Sequence, residues 1–250
     1  MAREKSPVWD HDLRAPKLKL QEVLGLSRGL HVLSMMYKTG YELMLHSLTR
    51  FPDRLRGVVS PSPDITDGEL EILTRAGVVG ARFAYRVSPD IDDRMVARAH
   101  EQGWSMHYLV PGGEQADRWR AQMLGSPGQF VIEHMGLPPP AKGVDSPEFR
   151  FVLDALDTGR GWVKLSPRFT AEQDFPFADT EPFIRRVVEQ APDRLLWGSD
   201  WPHPQYFKPM PNDADLVDMM LHWAPTEELR RRIFVENPEV LFGFPPVAGA

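Results

Sequence analysis

The sequence contains no cysteine, which excludes disulfide bonds, thiolate metal sites and cysteine nucleophiles. It also lacks any apolar run near the roughly 18 residues that a membrane-spanning helix needs. Residues 1–7 carry charges and no apolar core, so they do not have the pattern of a secretory signal. Together these absences predict a soluble protein of the cytoplasm.

Positive charge is scarce as well. The chain has 29 Lys and Arg against 35 Asp and Glu, a formal net charge of -6. This acidic balance argues against a nucleic-acid surface. We therefore expect neither nucleic acid nor a membrane as a partner, while the sequence is compatible with a homo-oligomer.

What the sequence does contain is a regular alternation of short apolar runs and amphipathic helical patterns. The apolar runs are rich in Val, Leu, Ile or aromatic residues and are bounded by Gly, Pro or charge, which is typical of buried parallel strands. The seven predicted strands are 29–33, 55–60, 79–83, 105–110, 130–134, 162–166 and 195–197. This alternation predicts an α/β fold with a parallel sheet and crossover helices.

Seven strands are one fewer than an eight-stranded (β/α) barrel contains. The 250 residues fit one domain, and no repeat or linker divides them. Before residue 28 we find no convincing strand. We therefore predict an irregular N-terminal segment over residues 1–27 and a single domain over residues 28–250.

The last predicted strand runs directly into Gly198, Ser199 and Asp200. In α/β barrels, a carboxylate at the carboxyl end of a buried parallel strand lies where the chemistry takes place. Gly198 allows close approach of the backbone, and His203 adds a titratable neighbour. Asp200 is therefore the leading candidate for a catalytic residue.

Cationic and titratable residues recur near the carboxyl ends of the other predicted strands. They are Arg82, Arg86, His107, Tyr108, His134, Lys164 and Arg168. Some have ordinary structural explanations, since His107 can point to either face of its strand and a lysine such as Lys164 is more often part of a structural ion pair. Tyr108 is interpreted as a wall residue. Arg82 lies inside an apolar strand, where a guanidinium needs an anion to offset its lost hydration.

Several of these residues belong to motifs that resemble a known family. The motifs are Pro192-Asp-Arg-Leu-Leu-Trp-Gly-Ser-Asp-Trp-Pro-His203, Met210-Pro-Asn-Asp213, Glu236-Asn-Pro-Glu239, Gly80-Ala-Arg-Phe83, Ile132-Glu-His-Met-Gly136 and Trp162-Val-Lys-Leu-Ser166. Over residues 28–244 the chain resembles the amidohydrolase-2 group of the amidohydrolase superfamily. Within that group it is most similar to the 2-pyrone-4,6-dicarboxylate lactonases and their relatives.

The resemblance implies a distorted TIM-type (β/α) barrel that hydrolyses a small acidic lactone in the breakdown of aromatic compounds. Asp200 would activate the hydrolytic water, and His134 would polarise the lactone carbonyl or orient that water. Arg82, Arg86 and Arg168 would hold substrate carboxylates. Tyr108, His107 and His203 are expected to complete the substrate-binding surface.

The chain departs from the family pattern at its beginning. The superfamily carries a His-x-His pair at the end of its first strand, and this chain has none. Together with the count of seven strands, this leads to the hypothesis that the chain is short at its N-terminus and lacks the first barrel strand. A divalent metal such as zinc would then have only His107, His134 and Asp200 as ligands, so we predict no tightly bound metal and no other cofactor.

Two other functions stay open from the sequence. One is a non-oxidative decarboxylase of an aromatic or unsaturated acid, a reaction of other amidohydrolase-2 members that need the complete metal site. The other is an inactive barrel that serves as a binding subunit, because a missing strand exposes two sheet edges.

Overall fold

The computed structural model describes residues 14–33, 40–85, 90–110, 115–204 and 209–246. Seven strands form one parallel sheet in the order of the chain. They are β1 Gly29–Val32, β2 Leu55–Val59, β3 Val78–Ala84, β4 Ser105–Leu109, β5 Phe130–Ile132, β6 Gly161–Leu165 and β7 Leu195–Trp197. The predicted α/β class, the seven strands and their parallel arrangement are all confirmed.

Eleven α-helices lie in the described residues, and most of them connect consecutive strands. They are α1 Arg14–Val23, α2 Glu42–Arg50, α3 Asp67–Arg75, α4 Asp93–Glu101, α5 Gln115–Gly125, α6 Pro147–Asp157, α7 Glu181–Gln190, α8 Asp213–Asp218, α9 Met220–Trp223, α10 Glu227–Arg231 and α11 Asn237–Phe242. None of the helices in these parts of the chain is long and apolar enough to cross a membrane.

Helix α1 falls within the segment that the sequence predicted to be irregular. Its leucines, Leu18 and Leu20, alternate with lysines instead of recurring at helical spacing, so the pattern gave no clear signal. The structure corrects that expectation for Arg14–Val23, while the division of the chain at residue 28 stays a prediction.

The two faces of the sheet differ in what covers them. On the outer face, alternate residues such as Phe83, Tyr108 and Ile132 pack against the helices in the main hydrophobic core. On the inner face, Val131, Trp162 and Leu196 form a smaller apolar cluster that is completed by Phe242 and Phe244. Alternation along each strand therefore directs one set of residues to the helices and the other to the interior.

The C-terminal segment is tied to the start of the sheet by two arginines. Arg28 Nη1 lies 2.8 Å from Glu239 Oε1, and Arg56 Nη2 donates to the Gly243 carbonyl at 2.9 Å. Both guanidinium groups also lie over the Phe244 ring, at 5.2 and 4.9 Å from its centroid. We call these five residues the C-terminal clamp; it joins the end of the described chain to β1 and β2.

Candidate active site

Charged side chains occupy the inner face of β3 to β6, above the small apolar cluster. Arg82 is paired with His107 across β3 and β4, so both point to the same face. Glu133 follows β5 directly, and Lys164 lies in β6. We call Arg82, His107, Glu133 and Lys164 the inner charged layer.

Glu133 is the centre of this layer. Its Oε1 lies 2.7 Å from Lys164 Nζ and 3.1 Å from His107 Nδ1, and the residue is only 3% exposed. Burial alone would raise the pKa of Glu133, but Lys164, the hydrogen bond from His107 and the Arg82 charge hold that pKa well below its ordinary value. Glu133 is therefore ionised and paired.

His107 is an internal residue and does not line the rim. It is fully buried, its Nε2 lies 3.3 Å from Ser105 Oγ, and its ring stacks on Phe242. Gly80 makes room for it, because a Cβ there would be 3.1 Å from the His107 ring. Burial lowers the pKa of His107 to about 4, although Glu133 opposes the shift. His107 is thus a neutral support for Glu133.

His134 lies where β5 ends in a tight turn. Its backbone has φ 49° and ψ 41°, in the left-handed region that non-glycine residues seldom adopt. Its Nδ1 is 2.9 Å from Ser166 Oγ, and its ring meets Phe169 edge-on. Burial lowers the pKa of His134 to about 3, with Glu133 acting in the opposite direction. The ring is therefore neutral near pH 7.

Asp200 ends the loop that leaves β7, and it also has a positive φ, 60°. The strand end is held by the Gly198 amide, which donates to the Leu165 carbonyl at 3.2 Å. A Cβ at Gly198 would lie 3.1 Å from Lys164 Cδ, so the chain leading to Asp200 passes directly against that lysine. The close approach expected at Gly198 is present.

Left-handed backbone is concentrated among the predicted site residues. In the described residues, six non-glycine residues have positive φ, and they are His134, Met135, Leu137, Phe177, Asp200 and His203. Backbone strain of this kind tends to persist where function requires it. Three of the six were predicted from the sequence to act in the site.

His203 turns away from the inner layer and towards α8. Its Nε2 is 3.3 Å from Asp213 Oδ1, an ion-pair distance without the alignment of a hydrogen bond. The His203 amide donates to the Asp200 carbonyl at 2.8 Å. His203 therefore shapes the loop that carries Asp200, and a contact with substrate stays a prediction.

The structure places Tyr108 away from the other predicted residues. Its ring stacks with Phe83 and packs edge-on against Trp119 and Phe130 in the core beneath the helices. It is 1% exposed and lies on the opposite face of β4 from His107. The expectation that it forms a wall of the substrate site is corrected, because strand alternation directs it outward.

The side chains of two predicted arginines are outside the described part of the structure. Arg86 is outside the described residues, and Arg168 belongs to a short 3₁₀ helix, Pro167–Phe169, whose backbone alone is described at that position. Their proposed contacts with substrate stay predictions.

The described residues do not form a metal site. No group of three or more His, Asp or Glu in them could hold a metal ion. Within the conditional set of His107, His134 and Asp200, Glu133 and Ser105 already engage both ring nitrogens of His107. His107 therefore does not fit as a zinc ligand, and the predicted absence of a bound metal stays a prediction.

Sequence reasoning gave Glu133 no role, although it stands beside His134 in a quoted motif. Lys164 could have indicated a role for Glu133, because a lysine between apolar residues of a buried strand needs an anion nearby. The ion pair expected for Lys164 is confirmed, with Glu133 as its partner.

Comparison with known proteins decides the family. The amidohydrolase family matches residues 11–244 of the chain. The chain belongs to the amidohydrolase family. A 4-sulfomuconolactone hydrolase from Hydrogenophaga intermedia is 35% identical over 237 residues, which are 90% of this chain and 78% of that protein. A 2-pyrone-4,6-dicarboxylate hydrolase from Comamonas testosteroni is 33% identical over 245 residues, or 92% and 80%.

A solved structure shows the same architecture as this amidohydrolase. It is a provisionally named 2-pyrone-4,6-dicarboxylic acid hydrolase from Pseudomonas putida, with a TM-score of 0.82 and 26% identity. The similarity covers 97% of this chain and 91% of that one. The curled seven-stranded sheet is therefore a partial TIM-type (β/α) barrel, and the predicted family and fold are confirmed.

Proposed function

We propose that this amidohydrolase opens a small carboxylated lactone, with water activated by Asp200. The observation that carries the proposal is that His134 and Asp200 both have left-handed backbone conformations. They lie at the carboxyl ends of β5 and β7, on the side of the sheet that carries the inner charged layer. The relatives from H. intermedia and C. testosteroni, both named as lactone hydrolases, support the same reaction class.

The proposed reaction divides the work between two residues. The Asp200 carboxylate removes a proton from water, and the resulting hydroxide oxygen attacks the lactone carbonyl carbon. The ring C–O bond then breaks, and the leaving oxygen receives a proton. His134, neutral because its pKa is about 3, is held by Ser166 and donates a hydrogen bond to the carbonyl oxygen or to the water.

Arg82 supplies the affinity for an acidic substrate in this proposal. Its Nε is buried and has no hydrogen-bond partner in the described part of the chain. Because a buried guanidinium is stabilised by a carboxylate that accepts its fork of donors, a substrate anion is the natural partner. Arg86 and Arg168 are proposed to bind further carboxylate oxygens.

The decisive experiment is a hydrolysis assay over carboxylated and sulfonated lactones with the wild type and Asp200→Asn. Loss of the base is expected to lower kcat about 100-fold or more. The matched control is Asp193→Asn, which makes the same change at an exposed carboxylate on the approach to β7. Equal rates for wild type and Asp200→Asn would remove Asp200 from the mechanism.

The absence of a tightly bound metal is a separate proposal with its own measurement. Protein purified without chelator is expected to contain far less than one zinc per chain by elemental analysis. Retention of about one zinc per chain after dialysis against chelator would contradict it. A zinc content that depends on His134 would then identify that residue as a ligand.

A further inference from the structure

The inner charged layer contains more positive than negative charge. Arg82 and Lys164 are its two cations, and Glu133 is its carboxylate, which pairs with Lys164. Lys164 is satisfied by Glu133 at 2.7 Å, and its side chain is only 12% exposed. Arg82 retains a buried Nε with no hydrogen-bond partner among the described residues. The layer therefore holds one cation in excess.

Lys164 lies close enough to the rim to influence the substrate. Its aliphatic stem packs against Gly198, two residues before Asp200. Without Glu133, Lys164 and Arg82 would be two cations in a layer that contains no carboxylate. Charges interact strongly over short distances in a partly buried site, so this change would alter the binding of anions.

We propose that Glu133 determines substrate specificity by neutralising Lys164, so that the inner charged layer keeps a net charge of one positive unit and limits the negative charge that the site accepts. This inference deepens the proposed function, on which it rests for the identity of the substrate. Glu133 acts through Lys164 and is a positioning residue. Its carboxylate, 3% exposed, does not need to touch the substrate.

Binding of two rigid, unreactive probes tests this inference without any hydrolysis. Benzoate carries one carboxylate and benzene-1,3-dicarboxylate carries two, and calorimetry gives the ratio of their dissociation constants. In Glu133→Gln, the preference for the dicarboxylate is expected to rise about tenfold over the wild type. In the double variant Glu133→Gln/Lys164→Met, which removes both charges, the ratio is expected to return to within about threefold of the wild type.

Two further variants keep the test decisive. Lys164→Met leaves one cation, Arg82, and one carboxylate, Glu133, in the layer, so its net positive charge is lost. The preference for the dicarboxylate is then expected to fall, opposite to the change in Glu133→Gln. Glu148→Gln breaks a surface Lys–Glu pair with Lys142 and is expected to leave the ratio unchanged. If Glu133→Gln does not fold, as judged by circular dichroism, the Lys164→Met result decides alone.

Selectivity that is the same in the wild type, Glu133→Gln and Lys164→Met would overturn the inference. An equal shift in Glu148→Gln would also overturn it, because the effect would then be unspecific. If the ratios change as expected and no lactone is hydrolysed, the proposed function fails while the role of Glu133 stands. If lactones are hydrolysed and the ratios do not change, the role of Glu133 fails alone.

Discussion

The inner face of β3 to β6 carries a charged layer beside its small apolar cluster, whereas the outer face of the same strands is apolar. The inner face carries Arg82, His107, Glu133 and Lys164, and the outer face carries Phe83, Tyr108, Ile132 and Val163. Adjacent residues in the chain therefore serve a charged interior and an apolar core. Charge on the inner face is stabilised by specific partners, whereas the outer face depends on contact area alone.

The largest expected effect is on the free energy of unfolding. On the inner face, a loss caused by breaking an ion pair should be recovered when its second member is also replaced. Lys164→Met removes the nearest cation from the buried Glu133 carboxylate, so we expect a loss of about 3–5 kcal/mol in unfolding free energy. Adding Glu133→Gln should recover most of it. Phe130→Ala on the outer face is expected to cost a similar amount. Urea unfolding of all four proteins measures both effects.

The comparison would be supported if Glu133→Gln/Lys164→Met recovered most of the unfolding free energy that Lys164→Met loses, while Phe130→Ala showed a loss of similar size. If Glu133→Gln/Lys164→Met were as unstable as Lys164→Met, packing would dominate on both faces.

Acid should lower the free energy of unfolding through the two buried histidines, His107 and His134. The pKa of His107 is lowered to about 4 and that of His134 to about 3 in the folded protein, so the unfolded chain binds protons that the folded chain cannot. Stability is therefore retained above about pH 6.5 and lost as the pH falls towards these values, by about 2 kcal/mol for each histidine at pH 5.

Chemical denaturation between pH 7.5 and 5 measures this slope. His107→Gln removes one of the two contributions, so its slope should be shallower than that of the wild type. An identical slope in both proteins would show that His107 is protonated normally in the folded state.

The buried amide of Asn237 should matter to the strand that leads to Asp200. Its Nδ2 donates to the carbonyls of Pro192 and Leu195 at 2.8 and 2.7 Å. Asn237→Ala leaves two buried acceptors without a donor, for an expected loss of about 2 kcal/mol in stability. The control Asn212→Ala, which removes an exposed helix cap at α8, should cost about 1 kcal/mol. A thermal melt that ranks them in the reverse order would contradict the proposed anchor.

The smallest effect is expected at Tyr108, and it tests the assignment of faces directly. Because its ring lies in the core, Tyr108→Phe keeps the packing and should cost less than about 1 kcal/mol. We expect KM for the lactone to change less than twofold. A large rise in KM with normal stability would return Tyr108 to the substrate site.

The sequence predicted the strands well because each one is a short apolar run bounded by Gly, Pro or charge, and β7 agrees to the residue. It also placed Asp200 and His134 near the carboxyl ends of β7 and β5, and the structure confirms those positions. Their catalytic roles stay predictions. It could not assign the two faces of β4, since both His107 and Tyr108 fit an apolar run. Glu133 was missed because its role arises from contacts with β4 and β6, which are distant in the chain.

The C-terminal clamp has a consequence for how the chain folds. The contact between Arg28 and Glu239 spans 211 residues. Phe244 packs against Arg28, which precedes β1, and against Arg56, which lies in β2. During synthesis, Arg28 and Arg56 cannot complete their contacts in the clamp until residue 244 has left the ribosome. Contacts of such long range slow folding and prolong the exposure of unpaired strands. The two arginines of the clamp can thus complete their contacts only after α11 has been synthesised.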